Sequence, residues 1–380
     1  MGLEIRRLVG LVAMGLILSV PPVLAQEAKD KTVANCDQLA SSPLDPAVPM
    51  GAGVRFEDVD ADAAIAACAS AVAANPDDAK LRFQLARSYD VAEQFDKAIA
   101  EYRAAADQGY MLALSSLGSL YEGGYGVDAD PAEAARLYEQ AAAAGVVVAI
   151  ENLAKLYEDG RGVAQDYGRA IELYNQAAAT GSPYASGSLG WLAENGFGMP
   201  KDDVEAARLY QIAADGGEAF AQHNIGVMHA RGRGGLPQDD AEAVKYFSRA
   251  AEQHWPLSYL SLGWHYSQGA GVTKDLARAE EYFRLAIAEG DEKVAGDASN
   301  DLAWMFAMEN VRLDEAEQLA RQAVDAGPEM AGRIDTLAWV LHVAGRHGDA
   351  LPLAEKAVAL DGSNAIFADH LAEIKAALGQ

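Results

Sequence analysis

Between residues 113 and 290 the chain repeats itself five times, at steps of 36 or 37 residues, and this periodicity limits its folds more than any other feature. The copies begin at Ala113, Ala149, Ala185, Ala221 and Ser258. Position +4 is Leu117, Leu153, Leu189, Ile225 or Leu262, and position +5 is Gly118, Ala154, Gly190, Gly226 or Gly263. Glycine pairs follow at Gly124/Gly126, Gly160/Gly162, Gly196/Gly198, Gly232/Gly234 and Gly269/Gly271; then come Asp130, Asp166, Asp202, Asp239 and Asp275. Tyr138, Tyr174, Tyr210, Phe247 and Phe283 close the register. In the copy from Ala149 to Gly181, apolar residues at helical spacing flank the glycine turn, which predicts two short helices. The aspartates are placed to cap each second helix, and Asp130-Pro131 adds proline at its first turn. One such hairpin cannot bury its apolar stripe, whereas stacked copies can. The expectation is an all-α solenoid of stacked antiparallel helix hairpins.

The flanks divide by composition. Residues 1–25 read as a secretory signal peptide: Arg6 and Arg7, an apolar run from Leu8 to Val20, then Val23-Leu24-Ala25 as the cleavage site. This predicts export, most simply to a bacterial periplasm. No later stretch approaches 18 uncharged apolar residues, so no transmembrane helix is expected in the mature chain. Residues 26–58, with Pro43, Pro46, Pro49, Gly51 and Gly53, read as an irregular segment with at most a short helix around Cys36. Cys36 and Cys68 are the only cysteines. In an oxidising compartment they predict a disulfide closing a loop of about 33 residues, worth roughly 3–4 kcal/mol in a chain-entropy model. The alternatives are free thiols or a catalytic one, and no Cys/His constellation supports catalysis. Asp60 to Ala74 reads as a lone second helix of a hairpin, and Asp291–Asp297 as a short polar break.

The unit from Leu81 to Gly109 resembles the tetratricopeptide repeat, through Leu85, Ala86, Tyr89, Ala98, Tyr102 and Ala105. The longer copies, with the pattern L-G-x-x-Y-x-x-G-x-G-V…D…A…Y-x-x-A-A-x-x-G, resemble the Sel-one-like repeat (SLR), its longer relative. The resemblance implies a right-handed superhelical solenoid. It divides the chain into tetratricopeptide-like helices at 59–112, five Sel-one-like repeats at 113–290, two plain repeats at 298–362 and a capping helix at 363–380.

The formal net charge of −26 disfavours nucleic acid and anionic lipid as partners. No lysine is preceded three residues earlier by serine, so an S-x-x-K nucleophile is absent. The seven histidines show no zinc-ligand spacing; His223 and His229 are six apart in one predicted helix. The expectation is a non-enzyme with no cofactor or metal. Some SLR relatives with a disulfide in each repeat are linked to β-lactamase activity or peptidoglycan binding, which leaves an envelope enzyme or glycan binder as the alternative.

By the same resemblance, positions −1, +2, +6 and +9 of each first helix should line a concave groove. Four of the five tryptophans share position +6: Trp191, Trp264, Trp304 and Trp339. Tyr184, Phe220, His223 and Leu260 stand nearby, and Asp90, Glu122, Glu158 and Glu194 fall at +9. The expected function is an exported scaffold or adaptor binding a protein or peptide, with aromatic anchors and acids suited to a basic or apolar segment. Equally, the tryptophans can fill space between helices and the acids can be solvated surface.

Overall fold

The computed structural model describes residues 22–45, 47–48 and 52–380. The signal expected at 1–25 lies outside the described residues except for Pro22–Ala25, which begin a helix. Among the described residues the structure is entirely helical, with nineteen α-helices and no strand. It divides into two units, one ending at Gln165 and the other starting at Asp166.

The first unit contains α1 (Pro22–Ala40), α2 (Ala61–Ala74), α3 (Ala79–Val91), α4 (Phe95–Asp107), α5 (Leu112–Gly123), α6 (Pro131–Ala143) and α7 (Val147–Asp159). Segment 26–58 is therefore not irregular throughout: one helix runs unbroken to Ala40. The helix-breaking prolines and glycines all come later in the sequence, from Pro43 on. Nor is α2 alone. It packs against α1, and the Cys36–Cys68 disulfide joins the two with Cα atoms 4.7 Å apart. Both cysteines are fully buried among Ala40, Ala64, Ala71 and Leu81. Asp78 and Asp130 cap α3 and α6 by accepting from backbone amides two and three residues on.

The second unit contains α8 (Tyr167–Ala178), α9 (Pro183–Asn195), α10 (Asp203–Asp215), α11 (Ala219–Arg231), α12 (Asp240–Ala251), α13 (Pro256–Gln268) and α14 (Leu276–Glu289). It continues through α15 (Glu292–Met308), α16 (Leu313–Asp325), α17 (Ala331–Val343), α18 (His347–Leu360) and α19 (Ala365–Ala377). Consecutive helices pair as hairpins from α9/α10 to α17/α18, and α19 covers α18. The polar stretch after Gly290 is the first turn of α15 and not a break. Asp291 accepts from the Val294 amide at 2.8 Å, and Lys293 pairs with Asp297 one turn along.

In the four copies with glycine at +5, that residue faces the ring of the second helix. A Cβ added to Gly263 would stand 2.6 Å from the Phe283 ring, and one added to Gly118 2.6 Å from Tyr138. This approach buries the rings: Tyr138, Tyr210, Phe247 and Phe283 are each 1% exposed or less. Burial on that scale is worth about 1.5–3 kcal/mol for a large apolar side chain. The turns are equally tight. Gly162 has φ +70°, and a Cβ there would lie 2.2 Å from the Pro131 carbonyl.

Candidate functional site

The +9 carboxylates come first, because the fold uses them itself. Asp90 accepts from the Tyr102 hydroxyl at 3.0 Å, Glu122 from Tyr138 at 2.9 Å, and Glu194 from Tyr210 at 2.9 Å. Each first helix is thus tied to the buried tyrosine of its own second helix. Burial and the adjacent carboxylate together push the Tyr138 and Tyr210 hydroxyls well above their usual range. Two of the acids also receive an arginine from the next glycine turn: Arg161 donates to Glu122 at 2.7 Å and Arg233 to Glu194 at 2.9 Å. Glu158 is buried and pairs with Lys155 at 2.7 Å. Three of the four acids expected to face a partner are therefore paired with cations of this chain.

In the second unit the expected groove residues separate into groups. Trp264 and Tyr184 are the exposed ones, at 47% and 42%. Trp264 meets only the edge of its neighbour His265 in ring contact, while Trp191 is half-buried against Phe197 at 5.1 Å. Phe220 is wedged edge-on between Tyr210 and Trp255, and Leu260 is half-buried against the core. His223 is buried against Phe247, with Nδ1 3.1 Å from the Ser258 hydroxyl. Burial lowers its pKa to about 4, so it is neutral at pH 7.

Trp304 and Trp339 are brought together, 6.4 Å apart, around His370. The Trp339 ring stacks on His370 at 4.2 Å and on His342 at 5.1 Å. His370 in turn bonds Asp335 at 2.8 Å in the buried interior. Nearby, burial raises the Asp301 carboxyl to about 6. These two tryptophans pack into a histidine-rich cluster, whereas Trp264 does not.

A cavity of about 640 Å³ in the first unit escaped the sequence reading. Polar residues Asp90, Ser115, Ser116 and Asn152 line it together with apolar Phe83, Leu112, Phe95 and Val148. One side is formed by the link after α1, at Ser42–Leu44 and Arg55–Glu57. The buried Arg87 holds that link in place, donating to the carbonyls of Ala40 at 3.1 Å and Val54 at 2.5 Å. Tyr110 also reaches Asp45 at 2.6 Å. No periodic pattern marks the link, so repeat reading alone could not place it over a cavity. Among the described residues no group of three or more His, Cys, Asp or Glu is arranged to hold a metal, and no helix is long and apolar enough to cross a membrane.

Comparison with known proteins follows the same register. A family model for the Sel1 repeat matches residues 112–146, 147–182, 183–218, 219–254 and 256–291. The chain is similar in structure to a protective antigen of uropathogenic Escherichia coli strains that displays an SLR fold. That match has 25% identity and a TM-score of 0.66, covering 82% of this chain and 67% of that one. A Sel1 repeat protein from Oxalobacter formigenes is 28% identical with a TM-score of 0.58, over 63% of this chain and 98% of that one. The Cut9–Hcn1 hetero-tetramer of the APC/C shares the fold alone, at 15% identity and a TM-score of 0.50, over 84% of this chain and 61% of that one. No curated protein sequence matches the chain.

Proposed function

Five tandem Sel1 repeats make this chain an SLR protein of the tetratricopeptide-like class, and from that premise we propose that it is a non-catalytic, exported scaffold holding protein or peptide partners on its first helices. Repeat proteins of this class are generally scaffolds. The observation that carries the reading is a contrast between aromatic rings on second helices and on first helices. Second-helix rings such as Phe283 are 1% exposed or less, yet Trp264 and Tyr184 on first helices expose 47% and 42%. An exposed large ring contributes little to the fold that presents it and is a frequent energetic anchor of interfaces. Export is supported by the signal-like residues 1–25 and by the disulfide, which persists in oxidising compartments. A periplasmic location is the simplest destination consistent with both.

The test places a photo-crosslinking amino acid at position 264 or 184 in the exported chain and compares it with one at an exposed second-helix position, Arg208. Cross-links to a discrete protein set from 264 and 184, absent from 208, are expected, with those from 264 weakened by Tyr184→Ala and those from 184 weakened by Trp264→Ala. The same set from all three positions would remove the first-helix face as the site. Retention of the chain on cell-wall sacculi, with no protein cross-link, would replace the scaffold by a glycan binder.

A further inference from the structure

The acid at the ninth register position has a cation of this chain beside it in three of four cases: Arg161 at Glu122, Lys155 at Glu158 and Arg233 at Glu194. Asp90 has no ion pair among the described residues; the Tyr102 hydroxyl is its hydrogen-bond donor. Asp90 is also the one acid of the four that lines the first unit's cavity. Neither arginine lining that cavity forms an ion pair with Asp90, although the buried Arg87 acts electrostatically on its carboxylate. Arg87 is buried and donates to main-chain carbonyls, and Arg55 pairs with Glu57 and Asp58. Glu93, also on the cavity wall, likewise has no ion pair among the described residues.

Repeat register accounts for two of the three cations; Lys155 stands on the same helix as Glu158. Arg161 and Arg233 each sit between two glycines of positive φ, Gly160/Gly162 and Gly232/Gly234, and reach back to the preceding acid. In the matching turn, Gly124/Gly126, the bracketed residue is Tyr125. Tyr125 is 54% exposed, stacks on Phe95 at 5.7 Å, and lines the same cavity. The turns at Gly196/Gly198 and Gly269/Gly271 bracket Phe197 and Ala270, so two of the five turns carry an arginine, and at Tyr125 the bracketed residue is an aromatic ring that lines the cavity.

We propose that this cavity receives the guanidinium of an arginine side chain from a partner polypeptide, giving Asp90 the cation that Arg161 and Arg233 give Glu122 and Glu194 from within the chain. A guanidinium satisfies three features at once. It bonds a carboxylate through paired N–H groups, its flat face stacks on Tyr125 or Phe95, and its aliphatic stem suits the wall of Leu112 and Val148. Burial raises the Asp90 carboxyl, and a carboxylate withdrawn from water gains more from an incoming cation than an exposed one does. The cavity volume, about 640 Å³, falls within the usual range for ligand sites and leaves room for an apolar residue flanking the arginine. The inference rests on the scaffold reading only in that the arginine belongs to a protein.

The probe is a fluorescein-labelled Leu-Arg-Leu amide, compared with the same peptide carrying citrulline, which keeps the shape and loses the charge. Fluorescence anisotropy on the full disulfide-bonded chain is expected to show roughly tenfold or greater preference for the arginine peptide. Asp90→Asn, which keeps an acceptor for Tyr102, should erase that preference. Tyr125→Arg should restore the repeat's own arginine at an exposed position, weaken the arginine peptide by roughly tenfold or more, and raise the melting temperature. Equal affinity for both peptides, no binding at millimolar concentration, or undiminished binding by Tyr125→Arg would overturn the proposal. If Asp90→Asn does not fold, Tyr125→Arg and the citrulline comparison still decide it. A failed peptide assay with cross-links at position 264 intact would overturn this site alone. Loss of both would overturn the scaffold as well.

Discussion

Tyr102, Tyr138 and Tyr210 bring their hydroxyls to within 3.0 Å of Asp90, Glu122 and Glu194. In the repeats where the ring is Phe247 or Phe283, the ninth position is Ala230 or Ser267. A buried hydroxyl must find an acceptor, and a ring without one makes no such demand. The acid therefore follows the tyrosine. Glu194→Ala is expected to cost about 1–3 kcal/mol in wild type, since it strands a buried hydroxyl, and clearly less in a Tyr210→Phe background. Denaturant unfolding of the four chains in a double-mutant cycle measures the coupling. Additive losses would show that the pair does not act as a latch. His223 gives the residue scale its pH dependence. Its folded pKa of about 4 lies below the unfolded value near 6.5, so the unfolded chain binds the extra proton between them. Its stabilising effect is complete above pH 6.5 and falls as pH drops towards 4, by about 3 kcal/mol in total. His223→Gln should flatten that part of the stability–pH curve.

Two glycines in first helices separate packing from propensity at the scale of the element. Gly263 in α13 meets the Phe283 ring at 2.6 Å from a notional Cβ, whereas a Cβ on Gly332 in α17 would touch nothing within 4 Å. Gly263→Ala should destabilise by about 1–3 kcal/mol through overpacking, and Gly332→Ala should stabilise by about 0.5–1 kcal/mol through helix propensity. Opposite shifts in thermal unfolding are the expected result; shifts of one sign would refute the close-approach role of the +5 position. The helices of the five copies were legible in the sequence because capping aspartates, glycine turns and apolar spacing all agree there. The start of α1 was not: Gln26 to Ala34 is polar and weakly patterned, and the helix is supported by packing of its later half on α2 and α3, through Cys36 and the Asp37–Lys80 ion pair. The opening turn of α15 was misread for a similar reason. Its residues are charged, and their support is the Asp291 cap and the Asp297–Arg333 ion pair at 2.7 Å, a contact 36 residues apart.

At the scale of the whole chain, stacked repeats gain stability mainly from their neighbours, so damage stays local. Cys36→Ala/Cys68→Ala should therefore cost about 2–5 kcal/mol in the first helices while leaving the later repeats protected. Hydrogen exchange would show α1, α2 and the link at Ser41–Val59 opening first; uniform loss across the chain would contradict this. The candidate site was legible only in part. Sequence register picked out Trp264 and Asp90, but nothing in it showed that Trp304 and Trp339 would pack around His370. Nor could it show that an unpatterned link would turn part of the first unit into a cavity. Such features arise from contacts between residues far apart in the chain, where periodicity carries no information.

The turn arginines reach backwards, from Arg161 to Glu122 and from Arg233 to Glu194, 39 residues each time. A hairpin made first has its acid in place before the cation that completes it has been threaded. For a polypeptide delivered in order from its amino end, maturation then trails delivery by one hairpin. At these two turns the newly arrived arginine finishes the repeat before its own, and a nascent chain halted just short of either would display an unneutralised carboxylate at its growing edge.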